Sequence, residues 1–364
     1  MMLRPKPNID KLISATHGGI NYLELEKLGI SPADILDFSV SVNPFGPPPG
    51  IKEALNQASI DRYPDSEATE LEQLLAGRLN IALDNLVIGS GSTELIRLVA
   101  TAYFDTDDLV IIPQPTYGEY EIACHLVGAR VLKPPMLENF HLNLAETMSL
   151  IRRHQPRGIF LCNPNNPTGQ YLSQEEVKKI LSVAKDSLVV LDEAYIAFAE
   201  NTWASVDLIE RGNLVILRSM TKDYALAGLR LGYAVATESI ISVLKRVRPP
   251  WNVSSVAQAA GVFALKADGY LDTCGMKIKE AKEFLVKELS RLGFSPLPSQ
   301  ANFFLVKVGD AAKFRQALLN KGILVRDCSS FGLPDYIRLA PHSIADCQKL
   351  IAAIKESEVY RNVS

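Results

Sequence analysis

The run SLVVLDEAY (187–195) decides the fold. Leu188, Val189, Val190 and Leu191 follow one another with no polar alternation, and the run then ends abruptly in Asp192 and Glu193. A strand that is apolar on both faces lies between two covering layers, the situation of a parallel sheet with helices above and below. Working outward, the same kind of run recurs in RGIFLCNP (157–164) and NLVILRS (213–219), and further off in LVIGS (86–90), LVIIP (109–113), ARVLKPP (129–135) and LGYAVAT (231–237). Amphipathic stretches separate these runs. Alternation of this kind predicts an α/β body with a mostly parallel sheet sandwiched by helices.

Past Pro249 and Pro250 the pattern changes. One long helical stretch is predicted from Ser254 to Leu292. Short strands in SQANFFLVKV (299–308), ILVRD (323–327) and YIRLAP (336–341) then interleave with helical segments, the last starting at Ser343. This reads as a small α+β domain. The division expected is an N-terminal arm over 1–50 that joins the small domain, a large domain over 51–253, and a small C-terminal domain with its linking helix over 254–364. The Pro-rich SVNPFGPPPG (41–50) ties the arm to the main body.

Composition narrows the function. In 364 residues, 38 basic side chains face 41 acidic ones, a net charge of −3, which offers no basic excess for nucleic acid or an anionic bilayer. The five cysteines are odd in number, scattered and without CxxC spacing, so neither a disulfide framework nor a metal site is expected. The opening MMLRPKPNIDKL lacks the apolar core of a signal peptide, and no run approaches membrane-span length. A cytoplasmic protein is the expectation.

The chemistry is concentrated in LRSMTKDYALAGLRLGY (217–233). Lys222 follows Ser219 and Thr221 and precedes Arg230. A lysine that forms an imine needs a neutral amine, which a nearby guanidinium promotes, and hydroxyls beside it suit a cofactor phosphate. Arg230 fits that phosphate through its two-pronged donor geometry. Taken alone, Lys222 also reads as a solvated surface charge. In VIGSGSTELIRLV (87–99), Gly89, Gly91, Ser92 and Thr93 stand between a strand and a helix, where free backbone amides make an anion site. The competing reading is an ordinary capped turn.

Asp192, at the carboxyl end of its strand, lies where open α/β sheets bind ligands. Facing a pyridine nitrogen it would keep that nitrogen protonated; otherwise it caps the next turn. CNPNNPTG (162–169) supplies Asn166 as a donor to a phenolic oxygen alongside Tyr195, or serves as a rigid turn. Tyr117 of PQPTYGEY (113–120) is placed to stack on the ring, or else is a core aromatic.

Taken together and in order, GSGSTELIR, PTYGEY, NPNNPTG, DEAY, SMTK and AGLRLGY resemble the fold type I enzymes that use pyridoxal 5'-phosphate (PLP), within the branch that holds histidinol-phosphate aminotransferases and threonine-phosphate decarboxylases. The resemblance implies that Lys222 carries PLP as a Schiff base, that Asp192 partners the pyridine nitrogen, and that Asn166 and Tyr195 partner the ring oxygen. Lys222, Asp192 and Tyr195 are then the catalytic group. Ser92, Thr93, Ser219, Thr221 and Arg230 would hold the phosphate, with Tyr63 of RYPD reaching in from a second subunit of a homodimer with shared active sites.

The termini bear on the reaction. THGGI (16–20), DFSVSVNPFGPP (37–48) and VRDCSSFGLPDYIRLAP (325–341) look more like the decarboxylases. His17, Gly18, Asn43, Asn166, Arg326 and Arg338 are the candidates for gripping a small phosphorylated amino acid, although His17 also fits a solvated arm and the two arginines fit surface ion pairs. The expectation is PLP-dependent decarboxylation of O-phospho-L-threonine to (R)-1-amino-2-propanol O-2-phosphate and CO2, a step of cobalamin assembly in that family. The alternative is a histidinol-phosphate aminotransferase or a related PLP-dependent aminotransferase. A non-catalytic PLP-binding regulator is a third reading, for which the first 85 or so residues supply no DNA-reading module.

Overall fold

Alternate residues of each central strand enter two different hydrophobic cores, and this is what stacks the molecule into layers. The computed structural model describes residues 3–358 apart from 11 and 13. Among the described residues the strands form three sheets. A two-stranded sheet begins with β1 (Leu36–Asp37). The central sheet holds β2 (Leu86–Gly89), β3 (Leu109–Ile111), β4 (Arg130–Leu132), β5 (Gly158–Cys162), β6 (Leu188–Asp192), β7 (Leu214–Ser219) and β8 (Gly232–Val235) in the order β2-β8-β7-β6-β5-β3-β4. A smaller sheet follows from β9 (Ser295–Pro296), β10 (Phe304–Lys307), β12 (Arg326–Asp327) and β13 (Tyr336–Leu339), while β11 (Ile323–Leu324) pairs with β1.

The seven apolar runs all became strands of the central sheet. Their neighbours run parallel except β8, which is antiparallel to both β2 and β7. On one face Val87, Val110, Phe160, Val190 and Val215 pack with Leu95, Ile96 and Val99 of helix Ser92–Tyr103 and with Ile240 and Leu244 of helix Glu238–Val247. On the other, Ile88, Ile159, Val189, Leu191 and Ile216 meet Leu71 and Leu75, Val177 and Ile180, and Ala257 and Ala260 from three further helices. Each fully buried aliphatic side chain contributes roughly 1.5–3 kcal/mol.

The long helix expected over Ser254–Leu292 is two helices, Ser255–Leu265 and Tyr270–Arg291. The break falls at Asp268-Gly269, where Gly269 takes φ +70°, a left-handed conformation that favours glycine. The two pieces serve different cores: Ala257, Ala260 and Ala264 belong with the central sheet, whereas Ala281, Leu285 and Leu289 pack with Phe304, Phe314 and Ile351. The N-terminal segment joins that second core. Leu36 and Asp37 pair in parallel with Ile323 and Leu324, and Phe38 is fully buried beside Phe304 and Phe314. Among the described residues no helix is long and apolar enough to cross a membrane. The five cysteines are buried free thiols.

Candidate active site

The carboxyl ends of β5, β6 and β7 open into a cavity of about 880 Å³. Its walls bring together Asn166 after β5, Asp192 and Tyr195 after β6, Thr221 and Lys222 after β7, and Ser92 and Thr93 at a helix start. Parallel strands deliver these residues to one edge because each strand ends there and a loop must follow.

One end of the cavity is built for an anion. Helix Ser92–Tyr103 starts without a side-chain cap, which leaves its first N–H groups free for an anion, while Glu94 in its first turn is itself occupied by the Ser90 N–H and Asn252 Nδ2. The preceding Gly91 has φ +81°, and a Cβ there would lie 2.9 Å from Arg230 Nη2. A side chain at 91 would thus occupy the space between the helix start and the guanidinium. Thr93 Oγ1 lies 3.4 Å from the Tyr117 hydroxyl, and Thr221 and Arg230 complete the rim.

Deeper in, Asp192 is 2% exposed and its carboxylate is fixed twice: the Tyr120 hydroxyl donates to Oδ2 at 2.7 Å and the Ala194 N–H donates to Oδ1 at 2.9 Å. Burial pushes its pKa up to about 6 against those two hydrogen bonds. Burial pushes the Lys222 amine down to about 8, and the guanidiniums of Arg338 and Arg230 act in the same direction. A lysine so placed is far richer in neutral amine near pH 7–8 than a solvated one. Its main-chain carbonyl accepts from Asn43 N–H at 2.8 Å. Tyr195 is buried with its hydroxyl pKa raised by burial, and Lys222 Nζ lies 6.0 Å from the centre of its ring.

On the reverse side of the same strand ends, Glu193 accepts from Arg218 Nε at 2.9 Å and from the Ser205 hydroxyl at 2.9 Å, and forms an ion pair with the Arg218 guanidinium. Asp192 and Glu193 thus point to opposite sides of the sheet, as consecutive strand residues do.

The cavity's other end carries two buried arginines. Arg338 donates from Nη1 to Asn166 Oδ1 and from Nη2 to Ser39 O at 2.8 Å, stacks over Phe303 with 4.8 Å to the ring centre, and has a buried Nε without a partner. Accepting that bond orients the Asn166 amide so that its oxygen faces Arg338. Arg326 donates from Nη2 to Thr16 O at 2.6 Å and to the Ser330 hydroxyl at 2.7 Å. The surface ion-pair reading of both arginines is therefore replaced: they are 6% and 5% exposed, and their hydrogen bonds go to carbonyl, amide and hydroxyl oxygens.

Three sequence candidates stand outside the cavity walls. Ser219 sits behind them, its hydroxyl 2.6 Å from Thr221 Oγ1. Asn43 lies beneath Lys222, donating to Asp223 O at 2.9 Å. Tyr63 is 75% exposed and stacks on Trp251 at 4.3 Å between ring centres. His17 and Gly18 do line the cavity, but the His17 ring turns to Glu119, with Nε2 3.1 Å from Oε1. Sequence reading missed Tyr120, Glu119 and Arg97. All but Arg97 lie in the quoted PTYGEY, where only Tyr117 was singled out.

The aminotransferase class I and II family model matches residues 33–354. A histidinol-phosphate aminotransferase of Moorella thermoacetica is 36% identical over 338 residues, covering 91% of this chain and 86% of its own. Among solved structures, histidinol-phosphate aminotransferase from Sinorhizobium meliloti in complex with PLP superposes with a TM-score of 0.88 at 26% identity, covering 100% and 99% of the two chains. The L-threonine-O-3-phosphate decarboxylase of Porphyromonas gingivalis gives 0.77 at 28% identity, covering 87% and 98%.

These findings correct the expected reaction. Relatives 33–37% identical over most of the chain are histidinol-phosphate aminotransferases, so decarboxylation of O-phospho-L-threonine is set aside. The terminal motifs misled for a physical reason: Thr16 and His17 meet Arg326 through main-chain carbonyls, which any residue supplies, and the His17 ring is already engaged. The cofactor is PLP. The uncapped helix start, the space kept clear by Gly91, the partly neutral Lys222 amine and the buried Asp192 carboxylate fit its phosphate, aldehyde and ring nitrogen in turn. With the family model spanning the central sheet, the cavity residues from Ser39 to Arg338 and most of the final helix, the chain belongs to the aminotransferase class I and II family.

Proposed function

We propose that the chain is a histidinol-phosphate aminotransferase, moving the amino group of histidinol phosphate to 2-oxoglutarate. The observation that carries this reading is the pair of buried guanidiniums, Arg326 and Arg338, lining the same cavity as Lys222 with no carboxylate hydrogen-bonded to either among the described residues. Buried cations call for an anionic partner, and one cationic pocket serves both half-reactions, taking a phosphate from one substrate and a carboxylate from the other. The similar relatives support the same choice.

When bound, PLP supplies an electron-withdrawing ring that weakens bonds at the substrate α-carbon. The residues divide the remaining work. Ser92, Thr93, Thr221, Arg230 and the free N–H groups at the helix start hold the phosphate, with Ser219 steadying the Thr221 hydroxyl. Asp192, fixed by Tyr120 and Ala194, holds positive charge at the ring nitrogen. Tyr117 would cover one face of the ring, and Asn166 and Tyr195 would donate to its oxygen. Lys222 would hold the cofactor aldehyde, and its amine is the base placed to move a proton at the substrate α-carbon. Asn43 holds the main chain beneath it. In a homodimer, the exposed Tyr63 reaches the partner's phosphate site. The partner of Arg326 and Arg338 is the substrate's anionic end.

The test is direct. Purified holoenzyme given histidinol phosphate and 2-oxoglutarate should form glutamate, and omission of either substrate should stop it. Absence of glutamate, with brisk amino transfer from an unphosphorylated amino acid instead, sinks the assignment.

A further inference from the structure

A chain of contacts runs from the large sheet, across residues 14–18, to Arg326. Glu119 starts the first helical turn of Glu119–Leu126 and is 5% exposed. Its Oε2 accepts from Arg97 Nη2 at 3.2 Å and its Oε1 faces His17 Nε2 at 3.1 Å. The hydrogen bonds from His17 and Arg97 hold the Glu119 carboxyl below its ordinary pKa, so it is an ionised acceptor and the proton of this contact sits on His17 Nε2. His17 is thereby anchored by its ring. Its own carbonyl and that of Thr16 accept from Arg326 at 3.4 and 2.6 Å. Gly18 closes the path, since a Cβ there would stand 2.6 Å from the Ser39 carbonyl that also receives Arg338.

The guanidinium of Arg326 is planar, with donors in a fixed fork. Two of its prongs are spent on the 14–18 segment, so the direction of the remaining donors follows the placement of that segment. Nothing in the reaction assigned above uses Glu119. We propose that Glu119 is a positioning residue for Arg326: by holding the His17 ring it fixes the Thr16 and His17 carbonyls, and these aim the guanidinium at the substrate's anionic group. This rests on the reading that Arg326 takes that group.

The experiment measures the affinity of the PLP-loaded enzyme for inorganic phosphate by calorimetry, together with amide hydrogen exchange at residues 14–18 without substrate. Glu119→Gln and His17→Leu should each weaken phosphate binding about fivefold, the double variant no more than either, and His17→Gln, which keeps a donor, should stay within about twofold of wild type. Exchange at 14–18 should accelerate in Glu119→Gln. Additive losses in the double variant mean that Glu119 acts by another route, and unchanged affinity or unchanged exchange in Glu119→Gln overturns the proposal outright. Wild-type enzyme that binds no phosphate overturns the role of Arg326 and this inference with it. Failure of the histidinol-phosphate reading shows separately, as a wild type inactive on histidinol phosphate whose exchange at residues 14–18 still accelerates in Glu119→Gln.

Discussion

Arg326 and Arg338 stand directly opposite one another on the antiparallel strands β12 and β13. Like charges in that position repel, and burial together with Arg338 holds the Arg326 guanidinium below its ordinary pKa. Binding of an anion relieves the repulsion. Phosphate should therefore raise the thermal midpoint of the protein, by the equivalent of about 2.7 kcal/mol at a hundredfold excess over its dissociation constant. In Arg338→Met the phosphate-dependent shift should largely vanish. An equal shift in both proteins, followed by calorimetry, would place the anion elsewhere.

Lys222 sets a second expectation. Its amine is depressed to about 8 by burial first, then by Arg338 and Arg230. The rate at which cofactor-free protein captures PLP, followed by absorbance, should rise with pH through an inflection near 8 and level off above it, because only the neutral amine attacks the aldehyde. Arg338→Met should move that inflection upward. Lys222→Ala should retain its fold and lose turnover by at least about 10⁴-fold. A flat pH profile for capture, or residual turnover near wild type, removes Lys222 from the site.

Asp192 carries a stability signature in the cofactor-free protein. Its folded pKa, about 6, lies above the ordinary carboxylate value because of burial. The sign follows: its contribution to stability is fully present below pH 4 and is lost as pH rises through 6. The loss is on the order of 3 kcal/mol. Asp192→Asn should escape it, so urea unfolding between pH 4 and 7 should show the variant gaining on wild type. Once PLP is bound the order should invert at neutral pH, since the amide offers no charge to a protonated ring nitrogen. Parallel pH curves for the two proteins contradict the burial argument.

Gly91→Ala should weaken PLP binding by at least about tenfold. Its φ of +81° strains any side chain, and the added Cβ would meet Arg230 Nη2 at 2.9 Å. Equilibrium dialysis of the cofactor measures this, and an unchanged dissociation constant means that the phosphate is held somewhere else.

The sequence revealed much of this architecture because burial on both faces leaves an unbroken apolar signature, as in Leu188 to Leu191. It was silent on direction: Gly232–Val235 carries the same signature as its neighbours yet runs the other way, and apolar runs do not encode polarity. The interruption at Gly269 escaped because helical spacing continues on both sides of it. At the cavity, groups whose chemistry is particular to a residue type, such as Lys222, Asp192 and Arg230, were legible. Tyr120 was not, since nothing local tells a tyrosine that braces a carboxylate from one that fills a core. The choice of reaction failed where recognition runs through main-chain carbonyls, as at Thr16 and His17, for there the side-chain letter carries little information.

The back-to-back placement of Asp192 and Glu193 makes the end of β6 intolerant to indels. Deleting a single residue within Leu188–Asp192 would bring Glu193 to the position facing Tyr120, and inserting one would bring Asp192 to the position facing Arg218 with a side chain one methylene shorter. Both acids would survive in the composition while the cavity lost its own. A frame-preserving deletion scan along β6 should thus abolish cofactor binding at every position, whereas a single-residue insertion in the exposed turn at 185–186 should be accommodated.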